Sequence, residues 1–98
     1  MKAEMRVISV RSIVEESVEI VSINAEQKSL EIIVDIPISV PDSIIADSER
    51  LRQILVNLLS NSIKFSSSGE IIVSAQVQSQ EGNKSVLLFT VLGKFSKK

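Results

Sequence analysis

With 98 residues, 11 basic and 12 acidic side chains and a net charge of −1, the chain has length for one small domain, and its charge draws neither nucleic acid nor an anionic membrane surface. Aromatic residues make up only 3% of it against 44% apolar residues, so the core must be filled by Ile, Val and Leu. The absence of cysteine excludes disulfides and thiolate metal sites, and the absence of histidine removes the commonest general base, the commonest zinc ligand and any phosphohistidine from these residues.

Met1 to Arg6 is charged and irregular, and residues 1–8 are expected to lie frayed ahead of the domain. A helix then begins at Ser9 or Ser12, either of which can cap it; Ser12 with Glu15 has the spacing of a capping box. Val10, Ile13, Val14, Val18, Val21 and Ala25 share one face of this helix, with Glu15, Glu16, Glu19 and Glu26 turned away, which predicts an amphipathic helix on a core as far as about Lys28. The glutamates read as solubilising charge, with no metal-ligand partner near them. Leu30 to Ile36 switches to strand periodicity, and Pro37 to Asp42 reads as a loop or sheet edge.

Ser43 to Ala46 is a short apolar piece with strand character. Asp47 or Ser48 caps a second helix running to Phe65, with Glu49 in the first turn suiting the positive end of the dipole. Leu51, Ile54, Leu55, Leu58, Leu59 and Ile63 gather on its broad apolar side. Ser66 to Gly69 turns the chain, and two strand-like runs, Ile71 to Gln78 and Lys84 to Leu92, should pair as an antiparallel hairpin. Residues 93–98 are expected to form a mobile, solvated tail. The order of elements lacks βαβ alternation and predicts an α+β two-layer sandwich, with helices on one face of a mixed, mostly antiparallel sheet. No apolar run approaches the ~20 residues that span a bilayer, so the segment is expected to be soluble and cytoplasmic, without membrane contact of its own.

The polar side of the second helix carries the one chemical pattern in the chain. A helix advances about 100° per residue, so Asn57, Asn61 and Lys64, at i, i+4 and i+7, form a single row. An asparagine carbonyl is a hard oxygen ligand suited to Mg²⁺, which takes the rest of its shell from water and substrate phosphates; a lysine neutralises phosphate. The row therefore suits the phosphate end of a magnesium nucleotide, but spacing alone does not establish this, because Asn and Lys are ordinary residues of a solvated helix face.

The run D-S-E-R-L-R-Q-I-L-V-N-L-L-S-N-S-I-K-F-S, Asp47 to Ser66, closely resembles the N-box region of sensor histidine kinases, whose ATP-binding module belongs to the GHKL superfamily with gyrase, a heat-shock chaperone and mismatch-repair ATPases. The pattern of Asn, three residues, Asn, then Lys and an aromatic is met by Asn57, Asn61, Lys64 and Phe65, preceded by Arg50, Leu51 and Gln53. Upstream, S-I-V-E-E-S-V-E-I-V and A-E-Q-K-S-L-E-I-I-V-D-I-P resemble the first helix and second strand of that module; downstream, S-S-G-E-I-I-V-S-A and V-L-L-F-T-V resemble its next two strands. The resemblance implies an α/β sandwich that binds Mg-ATP, with Asn61 as magnesium ligand, Lys64 on phosphate, and Asn57 where hydrolysing relatives carry a water-activating glutamate. An amide there cannot act as a base, which fits phosphoryl transfer better than hydrolysis. The parent's partners would be ATP, a histidine-bearing dimerisation domain and a response regulator, in a protein that can be anchored to a membrane.

The resemblance departs from the family after V-L-L-F-T-V, where a D-x-G-x-G box is expected. Aligned without a gap, Gly93 falls at the aspartate and Phe95 and Lys97 at the two glycines; the remaining glycines are Gly69 and Gly82. The expectation is thus of a truncated kinase-type ATPase fold that supplies the magnesium and phosphate side of the pocket, is inactive alone and binds Mg-ATP weakly or not at all. The alternative is a degenerate domain acting as a protein-interaction module. A sheet cut after Leu92 would leave an unpaired edge and an apolar face lined by Leu87, Phe89 and Val91, from which self-association is expected.

Overall fold

A computed structural model describes residues 4–82 and 84–94. The elements run β1 (Met5–Ser9), α1 (Val10–Gln27), β2 (Leu30–Asp35), β3 (Ser43–Asp47), α2 (Ser48–Phe65), β4 (Gly69–Glu81) and β5 (Lys84–Lys94). Strands β2, β4 and β5 form a three-stranded sheet in the order β2-β4-β5. β2 runs parallel to β4, with Ile32 opposite Ile71 and Val34 opposite Val73; β4 and β5 pair antiparallel as the expected hairpin, Val73 opposite Val91 and Ala75 opposite Phe89. A second sheet, β1 with β3, is antiparallel. The two helices pack on the mixed sheet, which is the expected sandwich.

Several expectations are corrected. Met5 to Ile8, expected to be frayed, form with Ser9 a strand that pairs along its whole length with β3, Val7 opposite Ile45 and Ile8 opposite Ile44. The strand exists because its backbone N–H and C=O groups find partners on a strand 34 or more positions away, a condition no local pattern encodes. Residues 1–3 lie outside the described residues. At the other end Gly93 and Lys94 continue β5 opposite Ile71 and Glu70 and are not a tail; residues 95–98, the rest of the expected tail, lie outside the described residues. Leu87, Phe89 and Val91, expected to line an exposed apolar face, are partly buried and pack against the core. The exposed apolar residues of β5 are Val86, Leu88 and Leu92, on the opposite face.

Ser9, not Ser12, caps α1. Its side chain accepts from the Ser12 amide, while the Asp42 backbone carbonyl and carboxylate accept from the amides of Val10 and Arg11. Three of the amides that a helix start leaves without intrahelical partners are so satisfied, and the 36–42 connection is tied to α1. Val10, Ile13, Val14, Val21 and Ala25 are buried as their spacing requires, together with Ser17, whose hydroxyl donates to the Ile13 carbonyl at 2.8 Å. The core continues through Leu30, Val40, Leu55, Leu59, Ile63, Ile71, Val73 and Ala75. An interhelical ion pair, Arg52 to Glu16 at 2.8 Å, joins α1 and α2 at the surface.

Candidate functional site

α2 carries the candidate row. Asp47 caps its start, accepting from the Arg50 amide at 3.3 Å, and Glu49 lies in the first turn, where a carboxylate opposes the positive helix end. Leu55, Leu59 and Ile63 face the core. This orientation turns Asn57, Asn61 and Lys64 to the outside, and all three are exposed. The row is therefore assembled as its spacing requires, on one open helix face.

Two features of that face were not read from the spacing. Ile54, Leu58 and Phe65 are exposed at 55%, 41% and 76%, although Ile54 and Leu58 belong to the run of apolar residues expected to be packed. The correction is geometric: the six apolar positions span more of the helix circumference than the sheet and α1 together cover. Leu51, Leu55, Leu59 and Ile63 form the covered part, and Ile54, Leu58 and Phe65 border the amide row. Arg50, seven residues before Asn57 and hence close to the same angular position, places a second cation at the other end of the face, with Asp47 at 3.8 Å. The face thus runs from guanidinium, through two carboxamides, to an ammonium, with an apolar margin. Lys64 Nζ stands 5.5 Å from the centroid of Phe65, within cation–π range.

The donor set can be tested against magnesium. No group of three His, Cys, Asp or Glu side chains able to hold a metal occurs among the described residues, so a protein-only cage is not what this face offers. Mg²⁺ is commonly held by one or two protein oxygens, its other positions filled by water and phosphate. An exposed Asn61 carbonyl fits the part of such a protein ligand, and the flanking cations fit the phosphates.

A cleft of about 910 Å³ lies elsewhere, lined by residues that include Val7, Ile38, Pro41, Ile44, Ile45 and Val86. Among the described residues its walls are apolar side chains with serines and Gln80, none of them ionisable. Asn57, Asn61 and Lys64 are not among its lining residues. Among the described residues no helix is long and apolar enough to cross a membrane.

No protein-family model matches the chain. Curated relatives do. Over 83 residues, 85% of this chain, it is 37% identical to hybrid signal transduction histidine kinase B of Dictyostelium discoideum. It is 42% identical over 67 residues, 68% of the chain, to histidine kinase 3 of Arabidopsis thaliana, and 35% identical over 74 residues, 76% of the chain, to the signal transduction histidine-protein kinase BarA of Escherichia coli. The chain spans 4%, 6% and 8% of the length of these three proteins. Among solved structures, full-length ShkA in complex with AMPPNP superposes with a TM-score of 0.71 at 29% identity, covering 78% of this chain and 16% of that one. Histidine kinase AdeS of Acinetobacter baumannii gives 0.70 at 22% identity over 82% of this chain and 39% of its own, and the catalytic domain of histidine kinase ThkA 0.65 at 18% over 74% and 49%; at those identities they speak for the fold alone. The chain is therefore a segment homologous to sensor histidine kinases, with the fold of their catalytic ATPase domains.

Proposed function

We propose that α2 is the N-box helix of a histidine-kinase ATP-binding domain and that Asn57, Asn61 and Lys64 supply the magnesium and phosphate side of its nucleotide pocket. The observation that carries this reading is the row's joint exposure on one helix face, between Arg50 and Lys64, in a chain homologous to histidine kinases. Asn61 would present its carbonyl to Mg²⁺, Lys64 its ammonium to phosphate, and Asn57 a neutral amide that orients without abstracting a proton. In the parent the partners would be ATP, a domain bearing the phosphoacceptor histidine and a response regulator. The likeness to a structure in complex with AMPPNP supports a nucleotide site in this fold.

A row on an open helix face supplies few contacts against the entropy lost on association, so these residues by themselves should hold Mg-ATP with a Kd of about 1 mM or weaker, about −4 kcal/mol. They should also show no phosphoryl transfer. Heteronuclear NMR titration with Mg-ATP tests both the place and the weakness of binding. The expected result is a weak, saturable shift confined to the amide and side-chain signals of Asn57, Asn61, Lys64 and Phe65, lost in Asn61→Ala. Silence at those residues up to tens of millimolar nucleotide, a range set by that weak binding, rejects the row as a phosphate site. Micromolar affinity rejects the claim of weakness.

A second reading, an interaction module that acts without nucleotide, is favoured by β5. It is an edge strand of the mixed sheet, and Val86, Leu88 and Leu92 are exposed on its uncovered face, features that favour pairing with a second copy. Sedimentation would show a concentration-dependent dimer under this reading and a monomer throughout without it.

A further inference from the structure

We infer that Lys28 is a positioning residue for the candidate site: its ammonium clamps the C-terminal turn of α2 and thereby sets where Lys64 and Phe65 stand. This rests on the reading of the row as a phosphate site, and it deepens that reading by naming a residue outside α2 on which the row depends.

The last carbonyls of a helix have no intrahelical partner and carry its negative dipole end. In α2 this end would otherwise be weakly closed. Its C-cap, Ser66, has extended geometry, and its amide reaches the Ile63 carbonyl at 3.3 Å. Lys28 Nζ donates to the carbonyls of Ile63, Lys64 and Ser66 at 2.8, 3.0 and 3.0 Å. An ammonium has three donors and no acceptor, so every one of them is spent on this single turn. The Ile63 and Ser66 bonds are partly shielded from water, which strengthens a charge-assisted hydrogen bond.

Lys28 is itself held. It is the C-cap of α1, with its backbone amide directed to the carbonyls of Ala25 and Glu26, and the next residue, Ser29, takes a left-handed backbone conformation at φ 57° that turns the chain into β2. The stem of the lysine therefore starts from a fixed point. Two helix C-termini, both negative ends of their dipoles, meet at one positive charge. One acceptor is the backbone carbonyl of Lys64, the row's own cation, so the clamp acts on the residue proposed to meet phosphate. Asn57, nearly two turns back along α2, is beyond its direct reach.

The test is NMR of the whole chain with and without Mg-ATP, on the wild type, Lys28→Met, which keeps the alkyl stem and removes the donors, and Lys28→Arg. In the wild type the Lys28 ammonium should give a slowly exchanging signal, with couplings across hydrogen bonds to the carbonyl carbons of residues 63, 64 and 66. In Lys28→Met, hydrogen exchange of the amides of residues 63–66 should rise roughly tenfold or more, the loss expected when one charged bond network opens locally, while amides of residues 55–59 and of β4 keep their rates. Lys28→Arg should recover part of the protection, because a planar fork cannot converge on three carbonyls. On addition of Mg-ATP, Lys28→Met should lose the shifts at Lys64 and Phe65 and retain those at Asn57. A uniform rise in exchange over the whole chain, or no rise at residues 63–66, overturns the clamp. Should Lys28→Met not fold, absence of the cross-hydrogen-bond couplings in the wild type overturns it instead. If exchange behaves as expected and Mg-ATP shifts no residue of the wild-type row, the clamp stands and the phosphate-site reading falls.

Discussion

Leu58 and Leu59 are neighbours in the chain and identical in chemistry, yet α2 gives them opposite environments: Leu59 is 0% exposed and Leu58 41%. Replacing Leu59 by alanine removes three carbon atoms from a core that also holds Leu55, Ile63, Ile71 and Val73. At about 0.8 kcal/mol for each buried CH₂ the transfer loss is about 2.4 kcal/mol. A residual void of roughly 50 Å³ adds about 1.2 kcal/mol, for a total near 3.5 kcal/mol. Leu58→Ala forfeits at most six-tenths of the transfer term, about 1.4 kcal/mol, and water fills the gap at no cavity cost. A domain of this length has a total stability of about 5–15 kcal/mol, so the first change removes much of the margin. Urea unfolding followed by circular dichroism should show an unchanged slope with a midpoint lowered more than twice as far by Leu59→Ala as by Leu58→Ala. In thermal scans the difference should be about 10 °C. Equal losses from the two variants would refute the orientation of α2, and with it the outward placement of Asn57, Asn61 and Lys64.

Four further outcomes are expected. Asn61→Ala should abolish the Mg-ATP shifts while leaving the unfolding midpoint within about 0.5 kcal/mol of wild type, since the residue is exposed. Lys28→Met should open the last turn of α2 locally, as measured by hydrogen exchange. Ser29→Gly should stabilise the chain by about 0.5–1 kcal/mol, because a left-handed residue at a helix C-terminus strains any side chain with a Cβ, and a urea midpoint below wild type would contradict this. Gly93→Ala should destabilise by about 1 kcal/mol, because a Cβ there would stand 3.0 Å from the hydroxyl oxygen of buried Ser66 and 3.6 Å from that of Ser62. The same change in a Ser66→Ala background should be neutral or stabilising, and additive effects would show that the two sites do not touch.

The helices and the hairpin were legible because their causes are local. Asp47 ahead of the second helix and Ser9 ahead of the first are capping residues by type, and the alternation from Ile71 onward has the period of a strand. β1 was not legible: Met5 to Ser9 is short, partly charged and without alternation, and its strand geometry depends on β3, which supplies hydrogen-bond partners from far along the chain. The apolar side of α2 was read too broadly for a related reason. Helical spacing assigns angles to Ile54 and Leu58, but the arc that is covered depends on how α1 and the sheet approach. Lys28 gave no signal as a positioning residue, since a lysine at a helix end is ordinary and its three acceptors lie 35 or more residues away.

The residue pattern by itself determined the order of helices and main strands, the aliphatic make-up of the core and the row of Asn57, Asn61 and Lys64, because side-chain spacing and capping act over a few residues. Only the tertiary structure decided which part of each helix face is covered, that the first strand pairs at all, and that a lysine ending one helix closes the end of the other. Those are contacts between segments distant in the chain, and their energies arise only when the segments meet.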